Sequence, residues 1–285
     1  MQRKQSWLSQ NPWQAAIVLL LIMWSLNQLL PLLWMCMNSL KSDLDVVRQP
    51  LAAVWPPLWQ NYPDAWVGES TGVTLGIYFR NSLFIVGTSI VGLMIIATLA
   101  AYALGRYSFR GRGVVMLFLI ALIAVPMHAL IVPLYHQLKA LGLTNTYFGL
   151  ILMYITAQLP FSVLVLQSYF STFPSELVDA ARIDGCTPLG AFRRVVVPIA
   201  RGAISAVAIV NFISMWNEIL LALVILWEND VRPMSVGLLG YTASFGDTRW
   251  GLVFAGLSIA TVPLILFYLV FHTNIMKGAT LGSYR

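Results

Sequence analysis

The feature that most constrains this chain is a series of six long apolar runs separated by polar segments. The runs lie at roughly 13–37, 79–104, 114–138, 148–170, 202–226 and 251–273. Each is long enough to cross about 30 Å of bilayer hydrocarbon as a helix, which takes about 20 residues. Backbone amides in hydrocarbon must bond within the chain, and the runs lack the period-two alternation of barrel strands. The sequence therefore predicts an all-α, polytopic membrane protein with six transmembrane helices, forming a single domain over residues 1–285.

Composition supports a membrane environment. Only 10% of the 285 residues are charged, whereas soluble domains have about 25%. The net charge of +6 comes from basic residues scattered between apolar runs, so no nucleic-acid partner is predicted. Cys36 and Cys186 have neither metal-site nor disulfide spacing. The first run is longer than a signal-peptide core, so it is predicted to be a retained helix.

Lysine and arginine positions predict the orientation of the spans. With the N-terminus inside, eleven of the seventeen basic residues fall on the inner side, which matches the positive-inside bias and puts both termini in the cytoplasm. Two long segments, 38–78 and 227–250, then lie outside. Their aromatic residues, including Trp55 and Trp59, are interpreted either as anchors at the membrane interface or as part of a surface that receives an external partner. Prolines 126, 133, 160 and 263 predict kinks or interruptions.

The main inner polar loop comprises residues 171–201. Ser175 suits a helix start, and Gly185 suits its end. A second short amphipathic helix is predicted from Pro188 to Val197, and Pro198 closes it before the fifth span. Two short helices joined by a glycine turn could dock in a partner's groove, with Phe192 as the anchor. A linker that folds only on itself fits the residues equally well.

The loop also carries a longer motif. Asp179-Ala180-Ala181, Asp184-Gly185, Phe192 and Pro198 resemble the coupling-loop signature of ATP-binding-cassette importer permeases, although Asp179, Cys186 and Val197 replace the usual Glu, Ala and Leu. The predicted ATPase-coupling residues are Glu176, Asp179, Ala180, Ala181, Asp184, Gly185, Phe192 and Pro198.

The resemblance continues along most of the chain. Asn81-Ser82-Leu83, Ala100 to Leu104, Ile131 to Tyr135, Leu141 to Thr146 and Trp216-Asn217-Glu218 resemble the carbohydrate-uptake subgroup, particularly the smaller permease of maltose-type systems. It implies a type I importer permease fold in a bacterial cytoplasmic (inner) membrane, translocating a sugar or oligosaccharide.

The resemblance also implies the partners. These are a second homologous permease in a heterodimer, two cytoplasmic ATPase subunits, an extracytoplasmic solute-binding protein and membrane lipid. ATP and Mg would be bound by the ATPase subunits, with no cofactor or metal on this chain. The sequence has no phosphate-loop motif, so this subunit is not predicted to be the motor.

Polar residues within the apolar runs are the candidates for the translocation cavity. They are Asn81, Gln158, Trp216, Asn217 and Glu218. A carboxylate such as Glu218 at membrane depth normally faces the protein interior or water. Helix capping, hydrogen bonds between helices and aromatic packing explain the same residues without substrate contact. His128 is either a pH-responsive group or a neutral, hydrogen-bonded histidine.

Two other function classes are weaker. A membrane-embedded enzyme needs a nucleophile and a base that converge, and the three histidines have no carboxylate partner at motif spacing. An ion-gradient-driven secondary transporter for a small polar solute is the alternative. It predicts inverted repeats and several buried charges, whereas Glu218 is nearly alone within the spans. The chain is therefore predicted to be a transport subunit without catalytic residues.

Overall fold

The computed structural model describes residues 12–68, 74–241 and 248–281, with side chains as far as Phe271 in the last helix. These residues form helices and turns, without any strand. The helices are α1 Pro12–Asn38, α2 Asp43–Arg48, α3 Asn61–Val67, α4 Leu75–Arg106, α5 Arg112–Ala124, α6 Ile131–Ala140, α7 Tyr147–Ser171, α8 Ser175–Ile183, α9 Pro188–Ala191, α10 Val197–Trp216, α11 Leu220–Ile225, α12 Met234–Gly237 and α13 Trp250–Leu281.

The long helices correspond to the apolar runs of the sequence. Within the described residues, five helical stretches are long and apolar enough to cross a membrane, and there are six if the bent pair α5 and α6 counts as one span. The all-α, polytopic fold class predicted from the sequence is confirmed. Helices form here because only intrahelical hydrogen bonds satisfy the backbone in hydrocarbon.

The chain divides into two units. The first contains residues 1–73 and 241–259, and therefore α1 to α3 with the beginning of α13. Inside it, Trp34 of α1 packs edge-to-face on Phe254 of α13, with ring centroids 5.1 Å apart. The single-domain assignment made from the sequence stays a prediction.

The second unit contains residues 74–240 and 260–285. Its core lies between α4 and α7, with Leu93 and Leu150 fully buried. Near the end of α4, a side chain at Gly105 would meet the Cβ of Phe170 at 2.9 Å and the Gln167 carbonyl oxygen at 3.1 Å. The two helices approach this closely because glycine leaves room for the neighbouring backbone.

Prolines interrupt the spans at only one of the predicted places. Between α5 and α6 the chain bends by 88°, and Pro126 stands there before a 3₁₀ turn at Met127–Leu130. Pro133 lies in the first turn of α6, where backbone N–H groups have no intrahelical partner. Pro160 and Pro263 lie inside the continuous helices α7 and α13, so the chain is not interrupted there, and kinks at these two positions stay a prediction.

A further break occurs where the sequence predicts an unbroken helix to residue 226. The helix α10 ends at Trp216, and α11 begins at Leu220. No proline lies at this break. The physical cause is the polar pair Asn217 and Glu218, because the Glu218 carboxylate accepts hydrogen bonds from the first turn of α11.

Candidate functional site

The inner polar loop folds as two short helices that lead into a membrane span. In α8, Glu176 lies in the first turn, where a carboxylate complements the helix dipole. Val178 and Ala181 of the same helix are buried. The Thr187 hydroxyl caps α9 by accepting a hydrogen bond from the Gly190 N–H at 3.1 Å. We call residues 175–191 the loop knob.

The turn between the two helices depends on Gly185. Its φ is +82°, in the left-handed region that favours glycine. Around it, the Asp184 N–H donates to the Ala180 carbonyl at 3.0 Å and the Cys186 N–H donates to the Ala181 carbonyl at 2.9 Å. A Cβ at Gly185 would meet no atom within 4 Å. The position therefore requires glycine for its backbone conformation and not for lack of space.

The knob exposes apolar side chains to its surroundings. Ile183 is 87% exposed and Leu189 is 59% exposed, and Leu177 is exposed as well. Charged residues of the same segment are also exposed: Glu176, Asp179, Asp184, Arg193 and Arg194. Exposed apolar side chains on a polar segment are typical of a surface that contacts another protein.

Phe192 holds the knob to the membrane helices. Its side chain is only 6% exposed, and its ring lies 4.9 Å from the ring of Tyr102 in α4. Tyr102 in turn packs edge-to-face on Phe170 in α7. This burial does not fit the interpretation of Phe192 as the anchor in a partner's groove, because its ring already packs against its own chain.

The knob continues into α10 without interruption. Residues Pro188–Trp216 form one helical stretch of 29 residues, about 43 Å long at 1.5 Å per residue. A π-helical turn at Phe192–Val196 precedes Pro198, and the Val197 N–H donates to the Phe192 carbonyl. This turn accommodates the proline, which has no N–H to donate. Pro198 therefore lies within a continuous helix and does not close the preceding one.

Asn81 joins the start of α4 to the segment after α11. Its amide Nδ2 donates to the Asp230 carbonyl at 2.7 Å and to the Arg232 carbonyl at 2.9 Å. The Tyr147 hydroxyl donates to Asn81 Oδ1 at 2.9 Å. Asn81 is buried, so three of its four hydrogen-bonding positions are used within the chain. Its assignment to the cavity stays a prediction.

Glu218 lies at the break between α10 and α11. Its carboxylate accepts hydrogen bonds from the Leu221 N–H at 2.8 Å and the Ala222 N–H at 3.1 Å. The Tyr154 hydroxyl donates to it at 3.4 Å, and His128 Nε2 lies 4.0 Å away. Glu218 thus lies near both helix breaks, because His128 belongs to the 3₁₀ turn between α5 and α6.

The other predicted cavity residues divide into buried and exposed groups. Trp216 is buried, stacks on Phe212 and donates from Nε1 to the Ala260 carbonyl at 3.0 Å. Asn217 is exposed and bonds to the Ile213 carbonyl of its own helix. Gln158 of α7 donates to the Ser214 hydroxyl at 2.7 Å. One group of these candidates thus lies on α7 and just after α10, and it consists of Gln158, Asn217 and Glu218. Asn81 belongs to a different hydrogen-bond network.

Sequence reasoning missed two polar residues in this region. Tyr154 donates to Glu218, and Asn211 is fully buried and donates to the Ser162 hydroxyl at 2.9 Å. Asn211 could have been identified from the sequence, because it is an isolated amide within an apolar run. The same feature identified Gln158 as a candidate. Among the described residues, no group of three or more histidine, cysteine or acidic side chains could hold a metal ion.

Comparison with known proteins gives the family. Residues 94–279 match the family described as the inner membrane component of binding-protein-dependent transport systems. The chain belongs to this family. It is therefore an inner-membrane permease subunit and not an enzyme, and subunits of this family carry no cofactor of their own.

Curated relatives of this permease cover nearly its whole length. It is 36% identical to the permease protein of a diacetylchitobiose uptake system from Streptomyces coelicolor, over 93% of this chain and 87% of the relative. It is 33% identical to a trehalose transport system permease protein from Mycobacterium tuberculosis, over 90% of this chain and 92% of the relative. A trehalose/maltose transport system permease protein from Thermococcus litoralis is 31% identical, over 90% of this chain and 91% of the relative.

A solved structure shows the same fold. The permease superimposes with a TM-score of 0.77 on a chain in the crystal structure of a bacterial ABC transporter involved in the import of the acidic polysaccharide alginate. The match covers 95% of this chain and 99% of that chain at 22% identity. The family match and the curated relatives together make the chain a membrane-spanning subunit of an ABC importer, and the alternative of an ion-gradient-driven transporter is not favoured.

Proposed function

We propose that this permease passes a sugar or short oligosaccharide into the cytoplasm and that the loop knob couples this transport to ATP hydrolysis. The substrate class is supported by relatives that carry diacetylchitobiose, trehalose or maltose and are more than 30% identical over most of this chain. The coupling role is supported chiefly by one observation: Ile183 and Leu189 are exposed on a knob that is continuous with a membrane span.

The knob has the form of a docking element. Its apolar tip is free to enter a groove of another protein, while Phe192 at its base is buried against Tyr102. A force on the tip would therefore move α10 and would not merely bend a linker. Glu176, Asp179 and Asp184 would form the polar rim of the contact, with Ala180 and Gly185 allowing close approach of the partner's surface.

The assembly follows from this role. A second homologous permease would complete the pathway as a heterodimer, two cytoplasmic ATPase subunits would bind ATP and Mg, and an extracytoplasmic solute-binding protein would deliver the substrate. Both termini would lie in the cytoplasm, in agreement with the bias of basic residues. Asn81, Gln158, Trp216, Asn217 and Glu218 remain candidates for the translocation cavity.

The coupling role can be tested by co-purification. The permease is produced with its partner subunits, and the ATPase retained per permease is measured for Ile183→Arg and Leu189→Arg. Loss of an apolar anchor from an interface costs about 2 kcal/mol or more, which is roughly a 30-fold loss of affinity. Thr172→Arg is the matched control, because Thr172 is exposed just before α8 and receives the same charge. Equal retention by all three variants would refute the knob as the docking surface.

The substrate class needs a separate assay. Proteoliposomes that contain the complete transporter are supplied with its solute-binding protein and with labelled disaccharides, amino acids or polyamines. ATP-dependent uptake of a disaccharide or short oligosaccharide is the expected result. Uptake of a non-carbohydrate alone would contradict the sugar assignment and would leave the coupling role unaffected.

A further inference from the structure

The segment after α1 folds back against the last turn of that helix, and a buried lysine holds it there. Lys41 Nζ donates to Asn38 Oδ1 at 2.9 Å, to the Gln49 carbonyl at 2.9 Å and to the Pro50 carbonyl at 3.3 Å. Trp34 Nε1 donates to the same Pro50 carbonyl at 2.8 Å. The ammonium group of Lys41 thus has three acceptors, which is the number that it can use.

These hydrogen bonds determine the depth in the membrane at which the segment after α1 lies. Trp34 precedes the end of α1 at Asn38 by four residues, a distance of about 6 Å along the helix. The Pro50 carbonyl, which also accepts from Asn38 Nδ2 at 3.3 Å, therefore lies beside the last turn of α1. The helix has 27 residues and is about 40 Å long, close to the thickness of a bilayer with its headgroups. Its last turn accordingly lies in the headgroup region.

At this depth the segment exposes a set of large apolar side chains. Leu51 is 81% exposed and Trp55 is 87% exposed. Leu44 and Val47, three residues apart on one side of α2, are exposed as well, whereas Val46 on the other side is buried. The side chain of Trp59 is exposed as well. We call Leu44, Val47, Leu51, Trp55 and Trp59 the apolar patch.

The patch is part of an ordered segment and not of a flexible loop. Asn61 Nδ2 donates to the carbonyls of Ser39 and Lys41 at 2.8 and 2.9 Å, and the Leu58 N–H donates to the Leu40 carbonyl at 2.8 Å. Asp43 accepts from Arg249 at 3.0 Å and from the Gly251 N–H at 2.9 Å. The apolar side chains are thus held outward by the surrounding hydrogen bonds.

We propose that the apolar patch lies in the membrane interface and anchors this end of α1 to lipid. The depth of Pro50 beside α1 favours lipid over an external protein, because the neighbouring medium at that level is the boundary between headgroups and acyl chains. Tryptophan is enriched at this level because its ring is apolar and its N–H is polar. Arg48, which is exposed within the same segment, supplies a cation for lipid phosphate. The proposal does not depend on the transported solute.

The test measures the depth of individual side chains in the full chain. Cys36→Ala and Cys186→Ser remove the native thiols, and spin labels are attached to Leu51→Cys or Trp55→Cys. The labelled permease, purified with its associated subunits, is placed in bilayer nanodiscs. Collision rates with oxygen, which concentrates in hydrocarbon, and with a water-soluble nickel complex are then compared. Leu33→Cys in α1 gives the lipid reference, and Glu228→Cys in an exposed polar turn gives the water reference.

The expected oxygen-to-nickel ratio at residues 51 and 55 is about tenfold above that at residue 228, since water is scarce at the depth of interfacial apolar residues. Lys41→Met should lower the ratio at residue 51 and leave the ratio at residue 33 unchanged. A ratio equal to that at residue 228 would overturn the proposal. Shielding from both reagents, or shielding that appears only when the solute-binding protein is added, would also overturn it, because the occupant would then be a protein.

Discussion

Replacement of Glu218 by alanine should destabilise the second unit by removing the group that starts α11. The carboxylate is the acceptor for the N–H groups of Leu221 and Ala222, and both of these residues are buried. Alanine has no acceptor, so the two donors would lose the partner that this side chain provides.

The size of the effect follows from these contacts. A buried donor that loses its partner costs about 1–3 kcal/mol, so the two donors together cost roughly 2–4 kcal/mol if the helix relaxes only partly. Glu218→Gln keeps one acceptor oxygen and should cost about half of that. His128→Ala should have little effect, because His128 is 61% exposed and its Nε2 lies 4.0 Å from the carboxylate, and exposed ion pairs contribute little.

The assay is thermal unfolding of the purified permease in a mild detergent, followed by tryptophan fluorescence. Tm should be highest for the wild type, lower for Glu218→Gln and lowest for Glu218→Ala. His128→Ala should have a Tm close to that of the wild type. Asn217→Ala is the matched control, since Asn217 is the exposed neighbour of Glu218 and bonds only within its own helix.

Two outcomes would contradict this role of Glu218. If Glu218→Ala and Asn217→Ala unfold at the same temperature, the carboxylate does not hold α11. If Glu218→Ala keeps its Tm but loses ATP-dependent uptake, Glu218 acts on the transported solute and not on the helix. Uptake by the same variants in proteoliposomes distinguishes these cases.

Four further changes test other parts of the structure. Asn81→Leu should lower stability by about 1–3 kcal/mol in the same unfolding assay, because it removes the amide that binds the Asp230 and Arg232 carbonyls and leaves the Tyr147 hydroxyl only its longer bond to the Asp230 carbonyl. Gly185→Val should weaken ATPase retention by about 5- to 30-fold, since a left-handed backbone costs an L-residue about 1–2 kcal/mol, whereas Gly185→Asn should retain most of it. Phe192→Ala should release the loop knob at a cost of about 3–5 kcal/mol, seen as faster hydrogen exchange in residues 175–191. Burial lowers the pKa of Lys41 below its ordinary value of 10.5, and Asp45 opposes this only in part. The unfolded chain therefore holds this proton to higher pH than the folded one, so stability should rise with pH from the lowered pKa up to about 10.5, and Lys41→Met should abolish that rise.

Much of the fold could be predicted because the bilayer imposes strong rules on the sequence. Apolar runs of sufficient length must be helical, and all six gave helical segments. Gly185 was also predictable as a helix end, since its left-handed φ is one that other residues avoid. In these cases a local property of the residues determines the structure.

The errors arise where partners distant in sequence decide the outcome. The sequence pattern at Phe192 fits both an exposed anchor and a core residue, and only Tyr102, ninety positions earlier, distinguishes them. The break after Trp216 depends on how the Glu218 carboxylate turns back to α11. The hydrogen bonds of Asn81 could not be predicted either, because its acceptors, the carbonyls of Asp230 and Arg232, are about 150 residues away.

The division of the loop between an exposed tip and a buried base has a consequence for how such subunits are recombined. Ile183 and Leu189 face outward, whereas Val178, Ala181, Ala191 and Phe192 are buried. The outward-facing positions are thus interchangeable: their side chains could be replaced without rebuilding the spans, provided that the buried positions keep their residues. A chimaera of this kind would change which motor the permease recruits and would leave its transmembrane pathway as it was.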